Sequence, residues 1–369
     1  MPISTFTGKV QTVVGLIEPE DLGITLPHEH LLVDQTVGGI YFIEPKETSA
    51  RLLAHQPVSL ENLSWVRYNM KDNLDNMMLL DEQMAIKEAM LYKLRGGKTI
   101  VDQTNVGIGR DPEALARISR ATGLNIIMGS GYYVEGSYSK EMMDAKTEEE
   151  IAEEIVKDIT VGVDDTGIRS GVIGELGCSW PLKDNEKKVL KAGAYAQKRT
   201  GAAIWVHPGR NEMAPIESME VLANAGADLG RVVICHMDRC GYLLDTRRKL
   251  LDAGCYVEYD VFGLEGYYPA RVALADGHLP DRPNDIGRIK QIKELIGMGY
   301  LKQILLSHDI GLKIMLVSYG GGGYAHLLRE VVPLMKIYGI SDEQINTMMV
   351  ENPKRLLQLV HPNRQKMLE

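Results

Sequence analysis

The chain is poor in cysteine and phenylalanine, with four and three residues respectively among 369. The cysteines form no C-x-x-C pair, so the sequence predicts neither a zinc knuckle nor a disulfide framework. No apolar run approaches the roughly 20 residues that a membrane helix needs, which argues against a membrane partner. The N-terminus also lacks the basic start and apolar segment of a secretory signal, so we expect a cytoplasmic protein.

The chain has no excess of basic residues either. Its 41 lysines and arginines are outnumbered by 50 aspartates and glutamates, which gives a net charge of −9. Because binding to phosphate backbones requires a basic face, this balance argues against a nucleic-acid partner. No dinucleotide-binding glycine pattern is present, so an oxidoreductase has no support.

Eight short apolar segments alternate with helix-like segments along the chain. The first lies within residues 23–34, and the others are 98–104, 124–133, 170–177, 202–209, 231–238, 255–263 and 302–309. Runs of this length that end in polar or glycine-containing loops are typical of buried parallel strands. The alternation predicts an α/β fold, a (β/α)8 barrel of the TIM type. We expect a single domain over residues 1–369, with an N-terminal β extension over about residues 1–22.

Two segments interrupt this alternation. Residues 59–77 predict an extra helix after the first strand. Residues 320–323 are four consecutive glycines after the eighth strand, which we interpret as a flexible active-site loop. An anion-binding loop is the alternative, although no lysine-serine pair follows the glycines as it does in a P-loop.

Polar residues that could hold metal ions stand at the ends of the predicted strands. His28 and His30 lie one residue apart, and in a strand such residues point to the same face. Four other strands, the fourth, fifth, sixth and eighth, end in Glu175, His207, His236 and Asp309. In a (β/α)8 barrel these ends meet on one rim, where active sites lie. Each residue alone could be an ordinary hydrogen-bonded group, but six together without a metal would be costly in a half-buried mouth.

The residue types indicate which metal and which chemistry. Imidazole and carboxylate together favour zinc or a similar transition ion over magnesium or calcium. Six ligands exceed the need of one tetrahedral site, so we expect two divalent ions per chain, zinc first, with manganese, cobalt, nickel or iron as alternatives. Paired ions activate water and polarise the bond under attack, which indicates a hydrolase acting on a small molecule. A metal-binding barrel without catalysis is the alternative from another class, but Asp309 is available as a catalytic proton acceptor.

The segments around these residues resemble the phosphotriesterase family of the amidohydrolase superfamily. The similarity is carried by TLPHEH, GVIGELGCSWP, WVHPGR, VICHMDR and LLSHDI, and it extends from GKVQTVVG to ENPKRLL. The chain is most similar to the phosphotriesterase-related proteins, which share GELGCSWPL, HPGR and YGGGGYAH nearly as written here. Agreement in order and spacing over nearly the whole chain makes a chance match implausible.

The resemblance implies a distorted (β/α)8 barrel with a binuclear metal centre, where a metal-bridging hydroxide performs the hydrolysis. By motif, His28, His30 and Asp309 would hold the more buried ion, and His207 and His236 the more exposed one.

One position departs from the best-studied members of the family. They place a carboxylated lysine at the end of strand four, whereas this chain has Glu175, as the related branch does. The glutamate preserves a bridging carboxylate, but the exchange argues against carrying phosphotriesterase activity over.

Further rim residues are candidates for binding the substrate. Arg210 and Arg239 follow the fifth and sixth strands, and a guanidinium suits an anionic group, with a surface salt bridge as the alternative. Tyr132, Tyr259 and His326 are the other candidates, with aromatic packing as the alternative for Tyr259.

Strand alternation assigns faces to the residues of the seventh and eighth strands. It places Glu258 and Asp260 on one face and Tyr259 on the other, and it points His308 away from Asp309.

The resemblance also bears on the substrate. Members of the related branch in animals are associated with hydrolysis of N-acetyltaurine, an amide whose amine side carries an anion. We therefore expect a small N-acyl amide with an anionic group, with lactone, ester or phosphotriester hydrolysis as the alternative. Arg210 and Arg239 favour the amide, because a neutral phosphotriester would gain nothing from them. A homodimer is the candidate oligomeric state.

Overall fold

The structure, a computed structural model, describes residues 6–42, 44–239, 243–266 and 282–361. Within these ranges the strands are β1 (Val10–Thr12), β2 (Gly15–Ile17), β3 (Thr25–Glu29), β4 (Val33–Asp34), β5 (Met78–Leu79), β6 (Thr99–Asp102), β7 (Asn125–Ser130), β8 (Val172–Gly177), β9 (Ile204–His207), β10 (Val232–Ile234), β11 (Tyr256–Tyr259) and β12 (Ile304–Leu306).

Helices follow most of these strands. They are α1 (Thr48–Ala54), α2 (Leu63–Tyr68), α3 (Glu82–Leu94), α4 (Pro112–Thr122), α5 (Lys140–Ala145), α6 (Glu148–Thr160), α7 (Asp184–Thr200), α8 (Ala214–Asn224), α9 (Leu244–Asp252), α10 (Asp285–Gly297), α11 (Val332–Ile337), α12 (Asp342–Asn346) and α13 (Asn352–Leu357). Local sequence explains where several begin: the Asp111 carboxylate, for example, accepts from the Ala114 N–H and caps α4. Of the helices in the described residues, none has the length and apolar character needed to cross a bilayer.

Eight of the strands form one parallel sheet that curves into a nearly closed barrel. Its order is β3, β6, β7, β8, β9, β10, β11 and β12, so each strand pairs with the next barrel strand along the chain. The two edge strands meet where the Asp309 N–H donates to the His28 carbonyl oxygen at 3.2 Å. The Ser307 hydroxyl bonds the same carbonyl at 2.7 Å. The predicted (β/α)8 barrel is confirmed, with all eight predicted strands in place.

Alternation along the strands separates two apolar cores. The barrel interior contains Val101, Ile127, Trp205, Val233 and Leu305, and a larger core lies between the sheet and the helices. Below the rim formed by the carboxyl ends of the strands, the interior is therefore packed with apolar side chains. Residues that end the strands with the same inward orientation come together above this layer.

Two segments outside the barrel bear on the sequence predictions. The antiparallel β1–β2 hairpin lies within the predicted N-terminal extension. The insertion between β3 and β6 contains the predicted extra helix, which is α2, and also α1, which the sequence pattern did not predict. The insertion begins and ends at an antiparallel pair in which Asp34 lies opposite Met78.

The glycine run of residues 320–323 is packed closely against the chain before it. The N–H groups of Gly321 and Gly323 donate to the carbonyls of Leu316 and Met315, both at 2.9 Å. A Cβ at Gly321 would lie only 2.2 Å from the Met315 carbonyl carbon, so this close approach requires glycine. The four glycines do not line the cavity described below, so the structure does not support the prediction of an active-site loop.

Candidate active site

Six side chains converge at the carboxyl ends of the barrel strands: His28, His30, Glu175, His207, His236 and Asp309. The three groups His28–His30–Asp309, His28–Glu175–His236 and Glu175–His207 each bring donor atoms within a few ångströms of one another. All are buried except Asp309, whose side chain keeps 23% of its surface exposed. The structure thus brings together every metal-ligand candidate predicted from the sequence.

Glu175 stands at the centre of this cluster. Its Oε2 lies 2.9 Å from His207 Nδ1, 3.3 Å from His236 Nε2 and 3.5 Å from His28 Nε2. Its other oxygen, Oε1, lies 3.6 Å from His30 Nε2. One carboxylate therefore faces all four histidines, as a ligand shared between two ions would. Gly174 permits this placement, since it has a φ of +134° and a Cβ there would lie 2.6 Å from the Trp205 carbonyl oxygen.

The chain adopts unusual backbone conformations at two of the six residues. His236 and Asp309 have φ values of +58° and +51°, a region that residues other than glycine seldom occupy. The His236 N–H donates to Asp260 Oδ2 at 2.9 Å, and the Asp309 N–H is held by the His28 carbonyl oxygen. Such conformations persist where surrounding contacts fix them, and they cluster at functional sites. Here the His236 side chain faces Glu175, and the Asp309 carboxylate faces His28 and His30.

One feature of the site itself shows that these six side chains fit divalent cations. His28 Nε2 is fully buried, and within the described part of the chain no group hydrogen-bonds to it. It lies 3.5 Å from Glu175 Oε2 and 3.8 Å from Asp309 Oδ1. A buried nitrogen without a hydrogen bond is costly, whereas a nitrogen lone pair facing two carboxylates suits a cation.

The nitrogen atoms on the far side of these histidines are held by partners of their own. Glu258 Oε2 lies 2.9 Å from His28 Nδ1, Asp260 Oδ1 lies 2.8 Å from His236 Nδ1, and Thr104 Oγ1 lies 2.9 Å from His30 Nδ1. Carboxylates and hydroxyls in this position fix the orientation of a ligating imidazole. Alternation correctly placed Glu258 and Asp260 on the same face, and the structure shows that this face is the one toward the candidate ligands.

The pKa values of the two carboxylates in the cluster are shifted in the direction that metal ligands require. Burial opposes ionisation of Glu175, yet the adjacent imidazoles of His207 and His28 hold the pKa of its carboxyl well below its usual value. Burial likewise opposes ionisation of Asp309, but His236 and His30 hold its pKa at about 2. Both carboxylates are therefore ionised, as ligands must be. Burial and the nearby Arg239 lower the pKa of the His207 imidazole well below its usual value.

A cavity of about 90 Å³ opens beside the cluster, with Glu175, His30, His207 and Asp309 in its wall. An adjoining cavity of about 420 Å³ lies farther out. Both are lined by Tyr41, His207, Arg210 and Arg239. The inner cavity gives a small molecule access to the candidate metal ligands.

Two of the residues predicted to bind the substrate, Arg210 and Arg239, line this cavity. Arg239 Nη1 is 3.2 Å from His207 Nε2, and its Nη2 donates to the Pro208 carbonyl oxygen at 2.6 Å. Arg210 follows the end of β9 and lines both cavities. The inner cavity therefore combines two carboxylates of the candidate metal centre with the guanidinium groups of Arg210, Arg239 and Arg282.

The structure does not bring Tyr132, Tyr259 or His326 to the cavity. The Tyr132 hydroxyl donates to Glu154 Oε2 on α6, outside the barrel. Tyr259 points to the outer face, where the Arg247 guanidinium carbon lies 5.9 Å from its ring centroid.

His326 lies beside α10. Its Nε2 is 2.6 Å from Asp285 Oδ2, so the glycine run before it does not turn this side chain toward the candidate ligands.

Other residues line the cavity that the sequence did not single out. Tyr133, next to Tyr132, places its hydroxyl 3.3 Å from His207 Nδ1 and 2.6 Å from the Tyr41 hydroxyl. Tyr41 and Lys71 enter from the insertion between β3 and β6. The alternation along β7 could have identified Tyr133. Ile127 faces the barrel interior, and Tyr133 lies an even number of residues after it, so both belong to the same face of the strand. Nothing in the sequence distinguishes Lys71 from other loop lysines.

Comparison with known proteins identifies the family. The profile of the phosphotriesterase family matches residues 8–357. The chain belongs to this family. Membership makes it a metal-dependent hydrolase, and the match covers all eight strands of the barrel described above.

Individual relatives agree with this assignment. The N-acetyltaurine hydrolase of Dictyostelium discoideum is 42% identical over 374 residues, covering 96% of this chain and 98% of that protein. A resiniferatoxin-binding protein from Rhodobacter sphaeroides has a similar crystal structure, with a TM-score of 0.89, 37% identity and 95% coverage of both chains. A mutant of a phosphotriesterase-like lactonase from Deinococcus radiodurans has a TM-score of 0.71 and 28% identity, covering 94% of this chain and 99% of that one.

Proposed function

We propose that the chain hydrolyses a small N-acyl amide whose amine side carries an anionic group, a compound of the N-acetyltaurine type. The proposal rests on one observation above all: Arg210 and Arg239 line the same cavity as Glu175 and Asp309. An anionic substrate can therefore pair with a guanidinium while its acyl group lies beside the candidate metal ligands. The name of the Dictyostelium discoideum relative supports the same substrate class.

The residues that would hold two divalent ions are the six that converge on the rim. His28, His30 and Asp309 are proposed for one ion, His207 and His236 for the other, and Glu175 for both. When bound, such ions would supply an activated water and polarise the acyl carbonyl. We propose zinc, because imidazole and carboxylate donors suit it. Cytoplasmic location and a homodimer stay predictions.

The chain itself would move the proton. Amide hydrolysis adds water across the C–N bond, so one proton must leave the water and another must reach the departing amine. Asp309 is the most exposed of the six side chains and lines the inner cavity. Its carboxylate would accept the proton from the attacking water and deliver it to the amine nitrogen. Arg210 and Arg239 would meanwhile hold the anionic end.

Lactone hydrolysis is the second candidate, since the same attack on an acyl carbonyl opens a lactone. It is supported by the likeness to the Deinococcus radiodurans lactonase mutant. The two guanidinium groups favour the amide, because a neutral lactone does not need them.

A substrate panel tests the proposal. Protein with measured metal content would be offered an anionic N-acetyl amide, its neutral analogue, a lactone and a phosphotriester. We expect the highest kcat/KM for the anionic amide, loss of activity after chelation, and recovery when zinc is restored. A lactone or triester turned over far faster than every anionic amide would overturn the assignment.

A further inference from the structure

Lys71 lies in the loop after α2 and reaches the inner cavity although it belongs to the insertion. The side chain is half-buried, and its Nζ stands 3.1 Å from the centroid of the Tyr41 ring. Within the described residues, no aspartate or glutamate forms an ion pair with it. A half-buried ammonium group beside the candidate metal ligands, without an acidic partner, calls for an explanation.

The charges that face Lys71 are mainly positive. Burial, followed by the charges of Arg210 and Arg239, lowers its pKa well below the usual value, and Asp309 is the one acid that opposes them. The Asp309 carboxylate also lies 3.2 Å from His30 Nε2, within the candidate metal cluster. Four basic residues, Lys71, Arg210, Arg239 and Arg282, therefore line one small cavity with two acids, Glu175 and Asp309, and an anion entering it would relieve the repulsion between the basic groups.

The position of Lys71 is tied to the candidate metal ligands. It rests on the face of Tyr41, a favourable place for a cation. The Tyr41 hydroxyl bonds the Tyr133 hydroxyl at 2.6 Å, and the latter lies 3.3 Å from His207 Nδ1. This chain of contacts joins the lysine to the rim of the barrel. A group bound by Lys71 would lie close to the reacting amide.

We infer that Lys71 joins Arg210 and Arg239 in a subsite for the anionic end of the substrate, and that Tyr41 positions the lysine. The inference rests on the proposed function and narrows the substrate to an N-acyl amino sulfonate or amino carboxylate with a short linker. The linker is short because Lys71 lines the inner cavity, which holds Glu175 and Asp309, and not the outer one. Lys71 is then a determinant of specificity for the anion.

Kinetics with a matched pair of substrates test this subsite. The pair is N-acetyl-2-aminoethanesulfonate and N-ethylacetamide, which lacks the anion. Lys71→Met should raise KM for the sulfonate about 10- to 100-fold, as expected for a lost charged hydrogen bond. It should lower the preference for the anionic over the neutral substrate by a similar factor.

Lys71→Arg keeps the charge and should retain most of that preference. Lys87→Met is the matched control, because Lys87 is an exposed lysine that bonds the Ser318 hydroxyl at 3.1 Å, outside the cavity. The control should leave the preference unchanged. An unchanged preference in Lys71→Met would overturn the subsite and leave amide hydrolysis standing.

A second measurement needs neither a variant nor turnover. Lysines of the wild-type protein would be acetylated briefly with acetic anhydride, with and without ethanesulfonate, and the sites quantified by mass spectrometry. Ethanesulfonate should slow the labelling of Lys71 and not that of Lys87. Equal labelling of Lys71 in both conditions would overturn the inference. Protection of Lys71 in a protein that cleaves no amide would instead refute the proposed function and support the subsite.

Discussion

The inner cavity has two walls of different construction. One, the ligand wall, is formed by the cluster at the strand ends: His30, Glu175, His207 and Asp309 line the cavity, and His28 and His236 complete the cluster. The other, the insertion wall, contains Gln35, Tyr41, Met70 and Lys71 from the segment between β3 and β6. The ligand wall is part of the barrel sheet, whereas the insertion wall reaches the cavity from outside it.

The two walls are also supported differently. In the ligand wall, imidazoles are backed by buried groups such as Asp260 and Glu258, both fully inaccessible to solvent. In the insertion wall, Lys71 rests on a tyrosine ring, and Tyr41 is only half-buried. Rigid elements suit the precise placement of metal ligands, and loops suit variation of specificity. We therefore expect the ligand wall to govern kcat and metal content, and the insertion wall to govern KM.

The largest effect should come from Glu175→Gln, which removes the charge that faces all four histidines. We expect fewer than two ions per chain and a fall in kcat/KM beyond the roughly 100-fold that loss of an outer partner costs. Metal analysis after dialysis and steady-state kinetics measure both. Glu88→Gln is the control, since Glu88 is equally buried but accepts from the Val317 and Ser318 N–H groups elsewhere. Two retained ions with normal turnover would remove Glu175 from the site.

Asp309→Asn should have the next largest effect. We expect kcat to fall by about 10²- to 10⁴-fold, the range for loss of a general base, because an amide cannot accept the proton. Metal content must be measured on the same sample, since Asp309 is also a proposed ligand. A variant that holds its metal and keeps full kcat would show that another residue carries the proton.

Asp260→Asn tests the support behind the ligand wall. Asp260 holds both the imidazole and the backbone N–H of His236, so we expect metal affinity to weaken about 10- to 100-fold. Competition with a chelator measures this affinity. Asp285→Asn is the control, because Asp285 is another buried acid, paired with Arg288 at 2.7 Å. It should lower the melting temperature and spare the metal affinity; equal weakening in both variants would point to general destabilisation.

The ligand wall could be predicted from the sequence, because its residues obey two strong rules. Strand ends meet on one rim, and alternate residues share a face, so the rim candidates from His28 to Asp309 came together as expected. The same rule, applied to β7, would have chosen Tyr133 over Tyr132. Met128 lies an even number of residues before Tyr132, so the two share a face, and Met128 packs in the core between the sheet and the helices.

The insertion wall could not be predicted in this way. Its residues reach the cavity through tertiary contacts that have no period in the sequence. Lys71 is one of 41 basic residues, and only its contact with Tyr41 and its place in the cavity set it apart. The predicted extra helix, α2, indicated that an insertion existed but not which of its side chains would face the ligands.

The smallest predicted effect concerns the joint between the walls, the hydrogen bond between the Tyr41 and Tyr133 hydroxyls. Tyr133→Phe should raise KM for an anionic amide about 2- to 10-fold, the value of one ordinary hydrogen bond, with kcat changed less. Tyr41→Phe should have a similar effect while leaving the ring beneath Lys71 in place. Because both variants break the same bond, the double variant should be little worse than either one, and a double-mutant cycle on kcat/KM measures this. Fully additive effects would mean that the two hydroxyls act separately and that the insertion wall is not held by this bond.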